Sequence, residues 1–121
     1  MSTPEALPLT PVGSCCTPLT QDVLTADDAA SMALAFKALG DPTRLRLLSI
    51  VAASGGDEAC VCDLTEPIGL SQPTVSHHLK ILMDAGYLTR SKRGTWAYYA
   101  LVPGSLDRVA ALLATATASR A

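Results

Sequence analysis

The chain has 121 residues, 49 % of them hydrophobic, and a formal net charge of −2. That length and apolar content suit one domain with its own core and exclude a wholly disordered chain. No apolar run approaches the roughly 18 residues needed to span a bilayer, which excludes a membrane segment, and the opening MSTPEALPLTP lacks the basic start and apolar stretch of a secretory leader.

Residues 1–24 hold Pro4, Pro8, Pro11 and Pro18 and no helical period, and they predict a flexible arm that carries Cys15 and Cys16. The folded domain is expected over 25–114, with 115–121 as a tail. Thr25 followed by Asp28 makes a capping box for a first helix running to about Leu39, and Gly40 suits the left-handed position beyond its end. Asp41 then caps a second helix with Pro42 in its first turn, where the missing N–H costs nothing. Leu45, Leu48 and Ala52 form its expected inner face, and Ser54-Gly55-Gly56 stops it. Asp57 and Glu58 predict the positive end of a short third helix that Pro67 and Gly69 break.

Ser71 caps a fourth helix reaching about Ala85. Tyr87 to Leu101 switches to strand character around a Lys92-Arg93-Gly94 turn, which predicts a β-hairpin. Ser105 is the expected cap of a last helix with Leu106, Val109, Leu112 and Leu113 along one side. The fold class is therefore mostly α with a β-hairpin wing.

The third and fourth helices, joined by a tight turn containing Gly69, form a helix–turn–helix candidate. On a helical wheel Val75, Leu79, Leu82 and Met83 share one side of the fourth helix, and Pro73, Ser76, His77, Lys80 and Asp84 share the other. That outward set suits reading in the major groove. Ser71, Gln72 and Thr74 add donors at the helix start, where amide dipoles favour phosphate. Arg90, Lys92 and Arg93 near the hairpin tip suit backbone contact. From Ser71 to Thr95 there are four Lys or Arg against the single Asp84, so the local field is basic although the chain is acidic. His77 is expected to face the groove and His78 to flank the core, since adjacent helical side chains diverge by about 100°.

The segments F-K-A-L-G-D-P-T-R-L-R-L-L (36–48), A-C-V-C-D-L (59–64), L-S-Q-P-T-V-S-H-H-L-K-I-L (70–82) and D-A-G-Y-L (84–88) closely resemble the ArsR/SmtB family of metal-responsive winged-helix repressors. The resemblance covers residues 25 to about 114. It implies a homodimer built on the first and last helices, binding to operator double-stranded DNA, and release when a metal or metalloid binds. It implies no membrane association, no small organic substrate and no enzymatic activity.

The cytoplasm is the expected compartment, and thiols stay reduced there, so the four cysteines read as a metal or redox set. On a regular helix Cys60 and Cys62 would sit about 200° apart, a poor chelate unless the first turn adjusts. Small buried apolar side chains are the alternative reading. C-V-C-D-L matches the ligand-bearing segment of the family's arsenic and cadmium/lead sensors, which implies two thiolates from Cys60 and Cys62. Some family members complete this site with N-terminal cysteines, which implies Cys15 and Cys16 of the other chain here. All-sulfur ligation selects soft ions. Three thiolates suit As(III) or Sb(III), and four suit Cd(II), Pb(II) or Zn(II). The family's other sensing site, on the last helix, uses Asp, His and Glu; residues 105–121 hold no histidine and the single acid Asp107. Arsenite leads as the expected inducer, ahead of Cd/Pb. A thiol-redox repressor is the alternative on the same fold, and a cysteine-dependent enzyme or metal carrier the alternative outside it.

Overall fold

A computed structural model of the chain describes residues 18–114; Cys15, Cys16 and the tail lie outside the described residues. The first helix, α1 (Ala26–Leu39), begins as expected, with the Thr25 hydroxyl accepting from the Asp28 N–H at 3.0 Å. It buries Met32, Ala35 and Ala38. Gly40 follows at φ −83°, not in the left-handed region, because the chain must enter the Asp41 cap of the next helix at once. Helix α2 (Pro42–Ala53) starts where the Asp41 carboxylate accepts from the N–H groups of Thr43 and Arg44 at 2.9 and 3.2 Å.

The inner face of α2 differs from the expected one. Leu47, Leu48 and Val51 are buried, while Leu45 and Ala52 face outward. The run L-R-L-L-S-I-V-A-A has apolar residues on several sides, and long-range packing selects among them.

A single 3-10 turn, Gly55–Asp57, follows α2. Glu58–Cys60 then forms strand β1, not the start of a helix. Helix α3 begins only at Val61 and runs to Ile68, with Gly69 at φ 78° ending it. Pro67 is tolerated in its last turn. Helix α4 (Gln72–Asp84) follows after three residues, Gly69, Leu70 and Ser71. Strands β2 (Leu88–Arg93) and β3 (Trp96–Leu101) form the hairpin, with the turn at Gly94–Thr95, so Lys92 and Arg93 are strand residues. Gly94 takes φ 65°, a conformation that L side chains rarely adopt. The sheet order is β1-β3-β2, antiparallel throughout.

The last helix, α5 (Ser105–Leu113), is capped by Gly104, and Ser105 is its first residue. The Ser105 hydroxyl is buried without a hydrogen-bond partner among the described residues. Of the four apolar residues expected on one side of α5, Val109 and Leu112 enter the core, while Leu106 and Leu113 stay exposed.

One core joins these layers. Leu47, Val51, Leu64, Val75, Leu79, Leu82 and Tyr87 lose all solvent contact, fixing α2, α3 and α4 against one another. The buried Tyr87 hydroxyl donates to the Ala35 carbonyl at 2.7 Å, and burial pushes its ionisation up to about 12, so it remains a donor. Arg44 ties the end of α1 to α4. It donates to the carbonyls of Ala38 (2.6 Å) and Lys37 (3.2 Å), and its third contact is His78 Nδ1 at 3.1 Å. A guanidinium can only donate, so His78 Nδ1 is the acceptor and its proton sits on Nε2. His78 thus flanks the core as expected, and Arg44 is a fastening, not a free surface cation.

Candidate nucleic-acid interface and thiol pair

Residue 60 decides how the thiols are arranged. Cys60 is the N-cap of α3, with extended φ −71° and ψ 148°, and its sulfur accepts from the Cys62 N–H at 3.3 Å. An N-cap side chain folds back over the first turn, so the 200° separation of a regular helix does not apply. Cys60 is buried and Cys62 exposed. The two thiols are close enough to interact: their hydrogen bond raises the Cys62 thiol above its ordinary value, with desolvation and the neighbouring Cys60 and Asp63 charges adding to it. The pair is one unit with one accessible face.

Among the described residues no group of three or more His, Cys, Asp or Glu side chains could hold a metal ion. Cys60 and Cys62 are the two free thiols among those residues. A third from within this chain would have to come from Cys15 or Cys16, outside the described residues. The chain enters the described region with the Leu19 N–H on the Leu112 carbonyl at 2.8 Å, which anchors the segment before α1 to the end of α5.

The polar face of α4 is laid out as the sequence predicts. Val75, Leu79 and Leu82 are fully buried, which turns Gln72, Thr74, His77 and Lys80 to solvent, with Ser76 half-buried beside them. The Ser71 hydroxyl caps the helix toward the Thr74 N–H at 3.4 Å and pairs with the Thr74 hydroxyl at 2.8 Å. Lys80 pairs with Asp84 one turn on, at 3.0 Å, both well exposed. Such a pair contributes only about 0.3–0.5 kcal/mol, so Lys80 is available to exchange partners.

The three wing cations are not equivalent. Arg90 and Lys92 make no ion pair among the described residues, whereas Arg93 is bound to Glu58 of β1. Sequence reasoning missed Glu58 in this role because its long-range strand pairing leaves no local mark.

A short helix, a left-handed glycine turn, a second helix with an exposed polar face and a flanking basic hairpin define a winged helix–turn–helix, the architecture of DNA-binding regulators. Residues 41–90, from the α2 cap to the first half of the wing, match the family model described as "bacterial regulatory protein, arsR family". An uncharacterized HTH-type transcriptional regulator of Methanocaldococcus jannaschii is 42 % identical over 78 residues, which cover 64 % of this chain and 85 % of that protein. A putative arsenical resistance operon repressor of Halobacterium salinarum is 40 % identical, covering 71 % and 70 %. The arsenical resistance operon repressor of Bacillus subtilis is 47 % identical, but the match spans only 54 % of this chain and 61 % of the relative. The crystal structure of AntR, an antimony-specific transcriptional repressor, superposes with a TM-score of 0.62 at 34 % identity, covering 74 % of this chain and 80 % of that one. The chain belongs to the ArsR family. Its relatives are regulators of transcription and not enzymes, which removes the enzyme alternative. No helix among the described residues is long and apolar enough to cross a membrane.

Proposed function

We propose that this ArsR-family repressor acts in the cytoplasm as a homodimer on operator double-stranded DNA and is released by arsenite or antimonite bound to cysteine thiolates. The observation that carries the reading is the placement of Cys60 as the N-cap of α3. It holds the Cys60 sulfur on the Cys62 N–H, next to the Cys62 thiol, at the start of the first helix of the helix–turn–helix. The relatives named for arsenical resistance and for antimony specificity support the choice of ion.

DNA recognition falls to Ser71, Gln72, Thr74, Ser76, His77 and Lys80 on α4, and to Arg90, Lys92 and Arg93 on the wing. Two such units must present α4 at a spacing of about 34 Å to enter successive major grooves. Ligation acts on this geometry through α3. Ion binding adds a bond to the Cys60 sulfur while that sulfur accepts from the Cys62 N–H, so the pull of the ion acts directly on the first turn of α3. Leu64 of the same helix is fully buried in the core it shares with Val75 and Leu79 of α4, so α3 cannot move without α4. Cys15 or Cys16 of the other subunit supplies the remaining sulfur. A hundred-fold loss of DNA affinity requires only about 2.7 kcal/mol of differential ion binding.

Fluorescence anisotropy on an operator duplex at fixed salt, with reductant present, tests the reading. Arsenite is expected to weaken binding about a hundred-fold, and peroxide is expected to do so only when reductant is omitted. Release by peroxide and none by arsenite would establish the redox alternative. Cd(II), Pb(II) and Zn(II) form the second metal class. Arsenous acid loses one water for each As–S bond it forms with a thiol and releases no proton, whereas Cd(II) displaces a proton from each thiol it takes. Proton release on loading therefore separates the two classes.

A further inference from the structure

Arg93, the last residue of β2, donates to the Glu58 carboxylate at 2.5 Å. Its guanidinium carbon also lies 4.5 Å from the centre of the Tyr98 ring. Neither partner belongs to β2: Glu58 opens β1, and Tyr98 lies in β3 directly opposite Cys60. Side chains alternate faces along a strand, so Glu58, Cys60, Tyr98 and Arg93, which is opposite Trp96, share one face of the sheet. Arg90 and Lys92 fall on the other face. The cation that is paired is thus the one on the same face as the buried thiol.

We propose that Glu58 couples the thiol pair to the wing: its carboxylate competes with DNA phosphate for Arg93, and the strand it shares with Cys60 lets thiol ligation reset that competition. The inference rests on the proposed function for the identity of the ligand and extends it to a route. A guanidinium fork matches a carboxylate and a phosphate equally well, so either can displace the other. The side chains of Arg93 and Glu58 are 56 % and 27 % exposed, which leaves Arg93 within reach of a duplex. An ion pair this open is weak enough to exchange. When phosphate takes Arg93 the carboxylate is left uncompensated and draws a cation from solution, so fewer counterions are released than one phosphate contact would give.

The coupling is short. Glu58, Ala59 and Cys60 are consecutive, each paired across β3 with Ala100, Tyr99 and Tyr98. Any displacement of Cys60 on ligation reaches Glu58 through two peptide units and reaches the Tyr98 platform across the sheet.

The experiment is a set of anisotropy titrations of full-length protein on one operator duplex, over a range of salt and with or without arsenite. Wild type is compared with Glu58→Gln, Arg93→Ala and the double variant. Glu58→Gln is expected to tighten binding about three-fold per protomer, hence about ten-fold for a dimer. It should also steepen the log–log salt slope by about one per protomer. In the Arg93→Ala background the same substitution is expected to change nothing. With arsenite, the loss of affinity is expected to be at least about three-fold smaller for Glu58→Gln than for wild type, with the same arsenic bound per chain after gel filtration. An effect of Glu58→Gln that persists without Arg93, or an equal arsenite response in wild type and Glu58→Gln, would overturn the proposal. A wild type that binds the duplex but ignores arsenite would instead overturn the proposed function, and the salt-slope comparison would still decide whether Glu58 competes for Arg93.

Discussion

Cys62→Ser is expected to abolish release by arsenite while leaving operator affinity within about two-fold of wild type. The side chain is exposed, and its backbone N–H, not its sulfur, donates to Cys60. A serine there keeps the fold and removes one sulfur. Cys60→Ser makes the stronger test, because Cys60 is buried and caps α3. Serine is among the preferred N-cap residues and its oxygen accepts more strongly than a thiol, so the α3 cap survives the exchange. The expected result is a protein at least as stable to urea as wild type that binds operator and no longer responds to arsenite. Replacement by alanine instead removes the cap, at a cost of about 1 kcal/mol, and would mix a folding defect with a sensing defect. Full release of either serine variant by arsenite would show that the pair is not the sensor.

The second large effect separates two neighbouring leucines. In the folded chain Leu113 is 53 % exposed and Leu112 only 2 %. Leu113 lies with Leu19, Val23, Leu34 and Leu106 among the exposed large apolar side chains of α1, α5 and the segment leading into α1. This is the surface that a dimer built on the first and last helices would cover. Leu113→Asp is therefore expected to give a folded monomer by sedimentation at micromolar concentration, with operator binding reduced by orders of magnitude because the two half-sites are no longer engaged together. Leu112→Asp is expected to unfold the chain, since an unpaired buried carboxylate costs several kcal/mol against a total stability of about 5–15 kcal/mol. A dimeric Leu113→Asp protein would place the interface elsewhere.

The contrast between Leu112 and Leu113 shows where the sequence was legible. Helical periodicity marks the apolar side of α5 but not how deep each position on it lies. Depth depends on what the chain brings from afar, here the segment at Leu19 that hydrogen-bonds to Leu112. The helix–turn–helix was readable because its signals are local: the Ser71 cap, the Gly69 turn and the spacing of Val75, Leu79 and Leu82 all lie within one stretch. Strand β1 was hidden for the opposite reason. Asp57 and Glu58 resemble the acidic start of a helix, and only pairing with β3, some forty residues on, makes Glu58–Cys60 extended. That one misplacement also concealed the arrangement of the candidate site. With α3 begun at Asp57 the two thiols diverge; with Cys60 as its cap the Cys60 sulfur folds onto the Cys62 N–H, and Glu58 becomes a strand residue within reach of Arg93. An N-cap cysteine has no strong sequence signature, because Ser, Thr, Asp and Asn dominate that position.

X-ray absorption at the arsenic edge of the arsenite-loaded, full-length protein tests the central claim most directly, because it counts the sulfur neighbours of the bound ion. Three sulfurs per arsenic are expected, falling to at most two in a Cys60→Ser/Cys62→Ser double variant, which keeps only Cys15 and Cys16 and is expected to lose tight binding. An arsenic shell made of oxygen in the wild type, or one with three sulfurs that survives the double substitution, would contradict a sensor built on the Cys60–Cys62 pair.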